Sequence, residues 1–198
     1  MFANSFTVVI DACSLVDTSR RNLLLSLAEA ELYRPRWSEE ILGETERALA
    51  KIFGNGRYNI PNPDERAEKS VNAIRRAFPC CSEVEYSHLE PCITGLPDSK
   101  DNHVLAAAVS CKAHLIVTEN LKHFPNSILE KYELEAKSAD DFISDSIDLD
   151  YLKALPAIQR LRARLKNPAL TASELLERWN AVDLKQTVDT LYPHVTKL

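Results

Sequence analysis

Two short apolar runs constrain the fold of this chain more than any other feature. Residues 6–10 (FTVVI) and 114–118 (HLIVT) are rich in β-branched side chains, without alternation of polar and apolar positions. This pattern is typical of strands buried on both faces, as in a parallel sheet covered by helices. Asp11 follows the first run directly, and Glu119-Asn120 follows the second. Because carboxyl ends of parallel strands share one sheet edge, we expect these polar side chains to face one crevice.

The segments between these runs predict the rest of the fold. Stretches with helical spacing begin near Thr18, Ser38, Ile60 and Pro97. Short strands are predicted at 32–37 and 134–139, with a weak strand or a loop at 80–89. The resulting order is β-α-β-α-α-β-α-β-β, which favours an α/β protein. We therefore expect a three-layer α/β/α sandwich with a central parallel sheet.

Strand signals disappear beyond about residue 145. Three helical stretches follow, at 148–155, 156–166 and 171 to the end, and Pro156 is placed to open the second of them. Thr171 and Glu174 have the spacing of a capping box. We therefore predict a first domain over 1–145 and an all-helical extension over 146–198, which packs on the first domain or forms part of a dimer or partner interface.

Composition excludes several classes of protein. No run reaches the roughly 18 apolar residues of a membrane span, and the first residues lack the basic region of a signal peptide. The net charge of −5 confines any nucleic-acid contact to a local patch. The five cysteines show no metal-ligand spacing and predict reduced thiols. We therefore expect a cytoplasmic protein without membrane contact.

Acidic residues accumulate at the predicted crevice. Two helices that start near this edge carry Glu40 and Glu44, and Asp98 and Asp101. Two carboxylates about 5 Å apart repel by roughly 3 kcal/mol at an effective dielectric constant near 20. A divalent cation such as Mg²⁺ relieves that repulsion and can polarise a water molecule. The pattern thus favours hydrolysis of phosphodiester bonds.

Four ordered segments resemble the PIN-domain family, across roughly residues 5–142. They are Val8–Ser14 (VVIDACS), Ser38–Glu44 (SEEILGE), Asp98–Ala108 (DSKDNHVLAAA) and Leu115–Asn120 (LIVTEN) with Phe124. The chain is similar to VapC-type toxins, which implies an endoribonuclease that hydrolyses RNA with Mg²⁺ or Mn²⁺. The resemblance also implies the toxin of a type II toxin–antitoxin pair, with an antitoxin partner. A homodimer is a further possibility.

The resemblance assigns roles to particular residues. Asp11, Glu44 and Asp101 would bind the metal, and Asp98 would be a further catalytic acid. A fourth acid is usual after the threonine of the last motif, but this chain has Asn120 there. Its amide could orient a water without adding charge, while the Thr118 hydroxyl could hold the acids in place.

Several of these positions have a second interpretation. Glu44 fits a surface stripe of charged residues on its helix, with Glu40 as the alternative ligand. Asp98 is well placed as a helix N-cap, with Asp101 in the same first turn. His103 would then point about 200° away from Asp101, which predicts a surface position. His123 follows in a loop without any sign of a partner.

Two further residues are candidates for RNA contact. Trp37 could stack on a base while Arg36 holds a phosphate, although a core tryptophan is the other interpretation.

A haloacid-dehalogenase site is excluded because Cys13 stands where the second Asp would be, and no dinucleotide or P-loop glycine motif occurs. The alternative function is a catalytically weak PIN module that binds a protein or RNA through its helical extension.

Overall fold

A four-stranded sheet organises the chain, in the strand order β2-β1-β3-β4. The computed structural model describes residues 6–55, 60–81 and 84–198. The strands are β1 (Thr7–Ile10), β2 (Arg34–Arg36), β3 (Leu115–Val117) and β4 (Glu135–Lys137). β1 and β3 pair in parallel, with Val9 opposite Ile116, and every residue of both strands is buried. The predicted α/β fold with a central parallel sheet and a helical C-terminal region is confirmed.

Helices make up most of the remaining described chain. They are α1 (Ala12–Val16), α2 (Thr18–Glu29), α3 (Glu39–Gly54), α4 (Pro63–Ala77), α5 (Asn102–Ser110), α6 (Asn126–Leu129), α7 (Ala139–Leu149), α8 (Tyr151–Arg164), α9 (Ala172–Asn180) and α10 (Lys185–Leu191). Among the residues with described coordinates, no helix combines the length and apolarity needed to cross a bilayer.

The chain forms two compact units that do not follow the order of the sequence. The first, here called the sheet unit, contains residues 7–16 and 35–136, and the second, the helical unit, contains residues 17–34 and 137–198 together with Phe6. The predicted boundary between residues 145 and 146 falls inside α7. The division into a domain over 1–145 and an extension over 146–198 stays a prediction.

Within the sheet unit, α5 lies directly against β1 and β3. Ala106, Ala107 and Ala108 are all fully buried, and their small side chains let the helix approach the strands closely. Ser38 caps the N-terminus of α3, and its hydroxyl accepts a hydrogen bond from the backbone N–H of Ile41 at 3.2 Å. These contacts position α3, which carries Glu44, and α5, which starts directly after Asp101.

Within the helical unit, α2 packs against α7, α8 and α9. Trp179 of α9 is only 1% exposed and anchors this core. The predicted capping box is confirmed, since Thr171 and Glu174 bond each other's backbone N–H groups. The C-terminal helices therefore have a packing partner, α2, far away in the sequence.

Arg164 and Glu29 form a two-pronged ion pair between α8 and the end of α2, at 2.8 and 3.1 Å. Both side chains are more than half exposed. We expect Arg164→Gln to lower the free energy of unfolding at pH 7 by about 0.5–1 kcal/mol, the usual range for an exposed pair. Urea titration followed by circular dichroism measures this change.

The effect should depend on pH in one direction. The hydrogen bond from Arg164 holds the pKa of Glu29 below its ordinary value. The stabilisation is therefore fully present above the unfolded-state pKa and is lost as the pH falls through the lowered folded-state pKa. Arg178→Gln, at an exposed position on α9, is the control and should change little at either pH. An equal loss at pH 7 and pH 2.5 would contradict an electrostatic origin.

Candidate functional site

Asp11 lies at the carboxyl end of β1 and is 5% exposed. Its backbone N–H donates to the carbonyl of Val117 at 3.0 Å, which continues the pairing of β1 with β3. The Thr118 hydroxyl donates to Oδ2 of Asp11 at 2.7 Å, and the Cys13 thiol donates to the same oxygen at 2.9 Å. These two bonds to one oxygen fix the orientation of the carboxylate.

Thr118 and Cys13 connect the ends of the two central strands. Thr118 is fully buried, and its hydroxyl accepts from the backbone N–H of Asn120 at 3.1 Å. The sulfur of Cys13 accepts from the backbone N–H of Glu119 at 3.2 Å. Burial, together with the charge and hydrogen bond of Asp11, raises the pKa of Cys13 to about 12. The thiol therefore keeps its proton at neutral pH and acts as a donor to Asp11.

Replacing the hydroxyl of Thr118 by a methyl group tests this support. Thr118→Val keeps the shape of the side chain but leaves Oδ2 of Asp11 with one donor fewer. We expect a loss of about 1–2 kcal/mol in the free energy of unfolding, since a buried acceptor loses a partner. Thr45→Val is a matched control, because Thr45 is equally buried in α3 and its hydroxyl donates to the local Ile41 carbonyl at 2.8 Å, away from Asp11.

The same pair of variants separates structure from function. Both should lose stability, but only Thr118→Val should also lower the RNA cleavage that the resemblance implies, by about tenfold through misplacement of Asp11. Equal activity losses in the two variants would show that the Thr118 hydroxyl has no specific role at the site.

Asp98, Asp101 and His123 form one cluster of half-buried side chains. They can each offer one ligand atom to a metal ion, and these atoms all lie within 4.8 Å of one another. Nδ1 of His123 is 2.7 Å from Oδ2 of Asp101. Asp98 also caps the short 3-10 turn Ser99–Asp101 by accepting from the backbone N–H of Lys100 at 3.0 Å. The N-cap interpretation of Asp98 thus holds, and it is compatible with a place in the cluster.

Glu44 lies next to a different histidine. Oε2 of Glu44 is 3.4 Å from Nε2 of His103, which is 2% exposed. The prediction that His103 occupies the surface is therefore wrong. Glu40, one turn earlier on α3, accepts a hydrogen bond from the Tyr86 hydroxyl at 2.5 Å. The side chain of Glu44 is 35% exposed, so it remains accessible from the solvent.

The charge of Asp11 acts on both Asp101 and His103. Burial raises the pKa of Asp101, the hydrogen bond with His123 opposes this, and the charges of Asp11 and Asp98 raise it further. Burial lowers the pKa of His103, but the carboxylates of Glu44, Glu40 and Asp11 outweigh it and raise the pKa above its ordinary value. Asp11 and Asp98 thus act on Asp101, and Asp11 and Glu44 act on His103. These four acids and the two histidines are here called the acidic region of the sheet unit.

The two residues after Thr118 differ in their surroundings. Glu119 is exposed, and its Oε1 accepts from the Ser14 hydroxyl at 3.2 Å. Asn120 is half-buried and begins the short turn Leu121–His123. This turn carries His123 back to Asp101, so the segment after β3 contributes an imidazole to the region.

The two residues expected to contact RNA have partners inside the protein. Trp37 is fully buried, and its ring packs edge-on against Phe78 with centroids 5.8 Å apart. The expectation that Trp37 stacks on a base is corrected accordingly, because no face of the ring is exposed. Arg36 is half-buried and donates to the carbonyl of Pro35 at 3.2 Å and to the sulfur of Cys81 at 3.5 Å. A role of Arg36 in RNA contact stays a prediction.

Sequence reasoning missed both histidines of this region, and for His103 the reason lies in where the helix starts. It placed Asp101 inside the first turn of a helix, which directed His103 away from the acids. In the structure Asp101 ends a 3-10 turn and α5 starts only at Asn102, so the 100° per residue of an α-helix does not apply across this step. The signal for His123 was its position shortly after the carboxyl end of β3, where functional side chains collect.

Comparison with known proteins agrees with the fold and the motifs. A family model described as "PIN domain" matches residues 7–122, more than half of the chain. A model described as "VapC50 C-terminal domain" matches residues 139–193. A protein of Mycobacterium tuberculosis (strain ATCC 25618 / H37Rv) named "Putative ribonuclease VapC50" is 52% identical over 59 residues, which cover 30% of this chain.

The matched segment spans about a third of that relative, 34% of its length. No solved structure matches the chain. The family model nevertheless covers β1, α3, α5 and β3, the elements that carry the predicted motifs. The resemblance noted from the sequence is thereby confirmed, and the chain belongs to the PIN-domain family.

Proposed function

We propose that this protein is a metal-dependent endoribonuclease that hydrolyses phosphodiester bonds of RNA. The observation that carries the proposal is the cluster of Asp98, Asp101 and His123, whose ligand atoms lie within 4.8 Å of one another, together with the charge of Asp11 that acts on Asp101. The similarity to a PIN domain and to a protein named as a ribonuclease supports the same activity.

The side chains present fit a divalent cation. Carboxylate oxygens are the preferred ligands of Mg²⁺ and Mn²⁺, and ligand atoms of Asp98, Asp101 and His123 already lie within 4.8 Å of one another. Asp11, Asp101 and Glu44 would hold the ion, with Asp98 beside them. A bound ion would lower the pKa of a water molecule and offset the charge that develops on the phosphate.

The chain itself would supply position and proton control. Thr118 and Cys13 hold Asp11 in one orientation through the hydrogen bonds to Oδ2. The carboxylates of Glu44, Glu40 and Asp11 raise the pKa of His103, which favours its protonated form beside Glu44. Asn120 would orient a water through its amide, while adding no charge. A carboxylate held in one orientation, like that of Asp11, needs little rearrangement when RNA binds, which favours the reaction.

Cleavage of a mixed RNA pool tests the proposal. The purified full-length protein is incubated with the pool in Mg²⁺, in Mn²⁺ and with a chelator, and new RNA ends are mapped by sequencing. We expect defined cuts that depend on the metal and disappear with the chelator. Intact RNA under all conditions would contradict the proposal, as would cutting that the chelator leaves unchanged.

We further propose that the protein acts in the cytoplasm as the toxin of a type II toxin–antitoxin pair. The match of residues 139–193 to the VapC50 C-terminal domain supports a VapC-type protein. Controlled expression in a bacterium should arrest growth, and co-expression of a cognate antitoxin should restore it. Growth that continues while the active protein accumulates would contradict the toxin role but leave the nuclease proposal intact.

The alternative function is a catalytically weak PIN module that binds a partner protein or RNA. Asn120 at the position of the usual fourth acid is the observation that favours it. Metal binding without RNA cleavage, combined with tight RNA or protein binding, is the result that would select this alternative. A homodimer stays a prediction, which light scattering of the purified protein measures directly.

A further inference from the structure

The cluster of Asp98, Asp101 and His123 contains one nitrogen ligand among oxygen ligands. We propose that His123 binds the cation directly and that this imidazole makes the centre select Mn²⁺ over Mg²⁺. The inference rests on the proposed function, since it concerns the ion that the nuclease site would use. It goes beyond that function by assigning a ligand and a metal preference.

The spacing of the atoms supports direct binding. Nδ1 of His123 and Oδ2 of Asp101 are 2.7 Å apart. Adjacent ligands of an octahedral ion with bonds of about 2.1 Å are separated by roughly 3.0 Å, and opposite ligands by roughly 4.2 Å. Both atoms could therefore turn toward one ion with only a small movement. The side chains of His123 and Asp101 are 25% and 18% exposed, so an ion can reach them from solvent.

Ligand chemistry then determines which ion is preferred. Mg²⁺ takes oxygen ligands almost exclusively and keeps several waters, whereas imidazole is a common ligand of transition-metal ions. A site of carboxylates alone would discriminate weakly between Mg²⁺ and Mn²⁺. One imidazole in the first coordination sphere adds affinity for Mn²⁺ that Mg²⁺ does not share.

A simple ion pair between His123 and Asp101 is the competing explanation, and it predicts the opposite result. In that case the protonated imidazole would stand in for a cation and compete with it. Removing the imidazole would then strengthen the binding of both Mg²⁺ and Mn²⁺. The direct-ligand proposal expects weaker Mn²⁺ binding in the same variant.

Calorimetric titration of the protein with MnCl₂ and with MgCl₂ distinguishes direct metal binding by His123 from a simple ion pair with Asp101. We expect His123→Ala to weaken Mn²⁺ binding by about tenfold or more while Mg²⁺ binding changes by less than about threefold. His123→Asp should restore an all-oxygen site, so the ratio of Mn²⁺ to Mg²⁺ affinity should fall toward unity. His88→Ala, at an exposed position outside the cluster, should behave like the wild-type protein. Unchanged or tighter Mn²⁺ binding by His123→Ala would overturn the proposal.

A second readout follows the imidazole itself. On addition of Mn²⁺, the paramagnetic ion should broaden the side-chain NMR signals of His123 more strongly than those of His88. Equal broadening of the two would also overturn the proposal.

RNA cleavage by the same variants tests the proposed nuclease function separately from the ligand role of His123. Metal-dependent cleavage with wild-type ion affinities in His123→Ala would overturn the ligand role alone. Mn²⁺ binding that requires His123, without cleavage of any RNA, would overturn the proposed function and leave the ligand role. A wild-type protein that binds neither ion would contradict both.

Discussion

Asp11→Asn is expected to reduce metal-dependent RNA cleavage by at least about 1000-fold, the size expected when charge stabilisation at a reacting phosphate is lost. The carboxylate lies at the end of β1, and its charge acts on both Asp101 and His103. The amide keeps an oxygen acceptor for the hydrogen bonds from Thr118 and Cys13, so the local fold should persist. Initial rates on an RNA cut by the wild-type protein measure the effect.

The stability of Asp11→Asn should not fall with its activity. Without a bound cation, the acidic region is repulsive, and removing one charge relieves part of that repulsion. We expect an unchanged or slightly raised melting temperature in a chelator, which is the usual behaviour of a site optimised for function. Asp148→Asn, at an exposed position in α7, is the matched control and should retain full activity. Cleavage that survives Asp11→Asn would mean that other residues, or another protein, cut the RNA.

Trp179→Ala should give the largest loss of stability among the changes considered. The indole is 1% exposed in the core of the helical unit, and α9 packs there against α2 and α10. Removing a fully buried aromatic side chain typically costs about 3–5 kcal/mol, through lost burial and the cavity left behind. Urea unfolding monitored by far-UV circular dichroism gives the change in the free energy of unfolding.

The control for this variant is an apolar residue of the same unit on the surface. Leu152 of α8 is 85% exposed, so Leu152→Ala should change the free energy of unfolding by less than about 0.5 kcal/mol. If the two units unfold in separate transitions, only the transition of the helical unit should shift with Trp179→Ala. A loss below about 1 kcal/mol would contradict a packed helical unit in solution.

The strands and the main acids could be predicted from local sequence. β1 and β3 carry unbroken β-branched runs, and the position of Asp11 after β1 follows from strand topology alone. The 3-10 turn between Asp98 and α5 could not be predicted from the sequence, because a 3-10 turn and the first turn of an α-helix have the same N-cap signal. That ambiguity is what concealed His103.

Pro156 shows the limits of a local rule at another point. Proline is favoured in the first turn of a helix, yet Pro156 lies inside α8, which starts at Tyr151. The N-cap is Asp150, whose side chain accepts from the backbone N–H of Lys153 at 3.1 Å. Proline removes the hydrogen bond to the carbonyl four residues earlier, that of Leu152. Because Leu152 is an exposed residue, water can take that place, and the cap at Asp150 sets the start of the helix instead.

The association of α2 with α7, α8 and α9 had no local signal at all. Each helix shows its own apolar face, but the pairing depends on chain topology over more than a hundred residues. The ion pair between Glu29 and Arg164 joins positions 135 residues apart. Single-sequence patterns contain no information about which distant faces meet.

This long-range pairing has a consequence for the synthesis of the protein. At about 5–20 residues per second, a ribosome needs roughly 7 to 27 s to travel the 135 residues from Glu29 to Arg164. During that time α2 has left the exit tunnel without its permanent neighbours, while Asp11, Glu44 and Asp101 have all been translated. A transcript that ends early would thus yield the residues of the acidic region together with an uncovered apolar helix, a product suited to capture by chaperones and proteases.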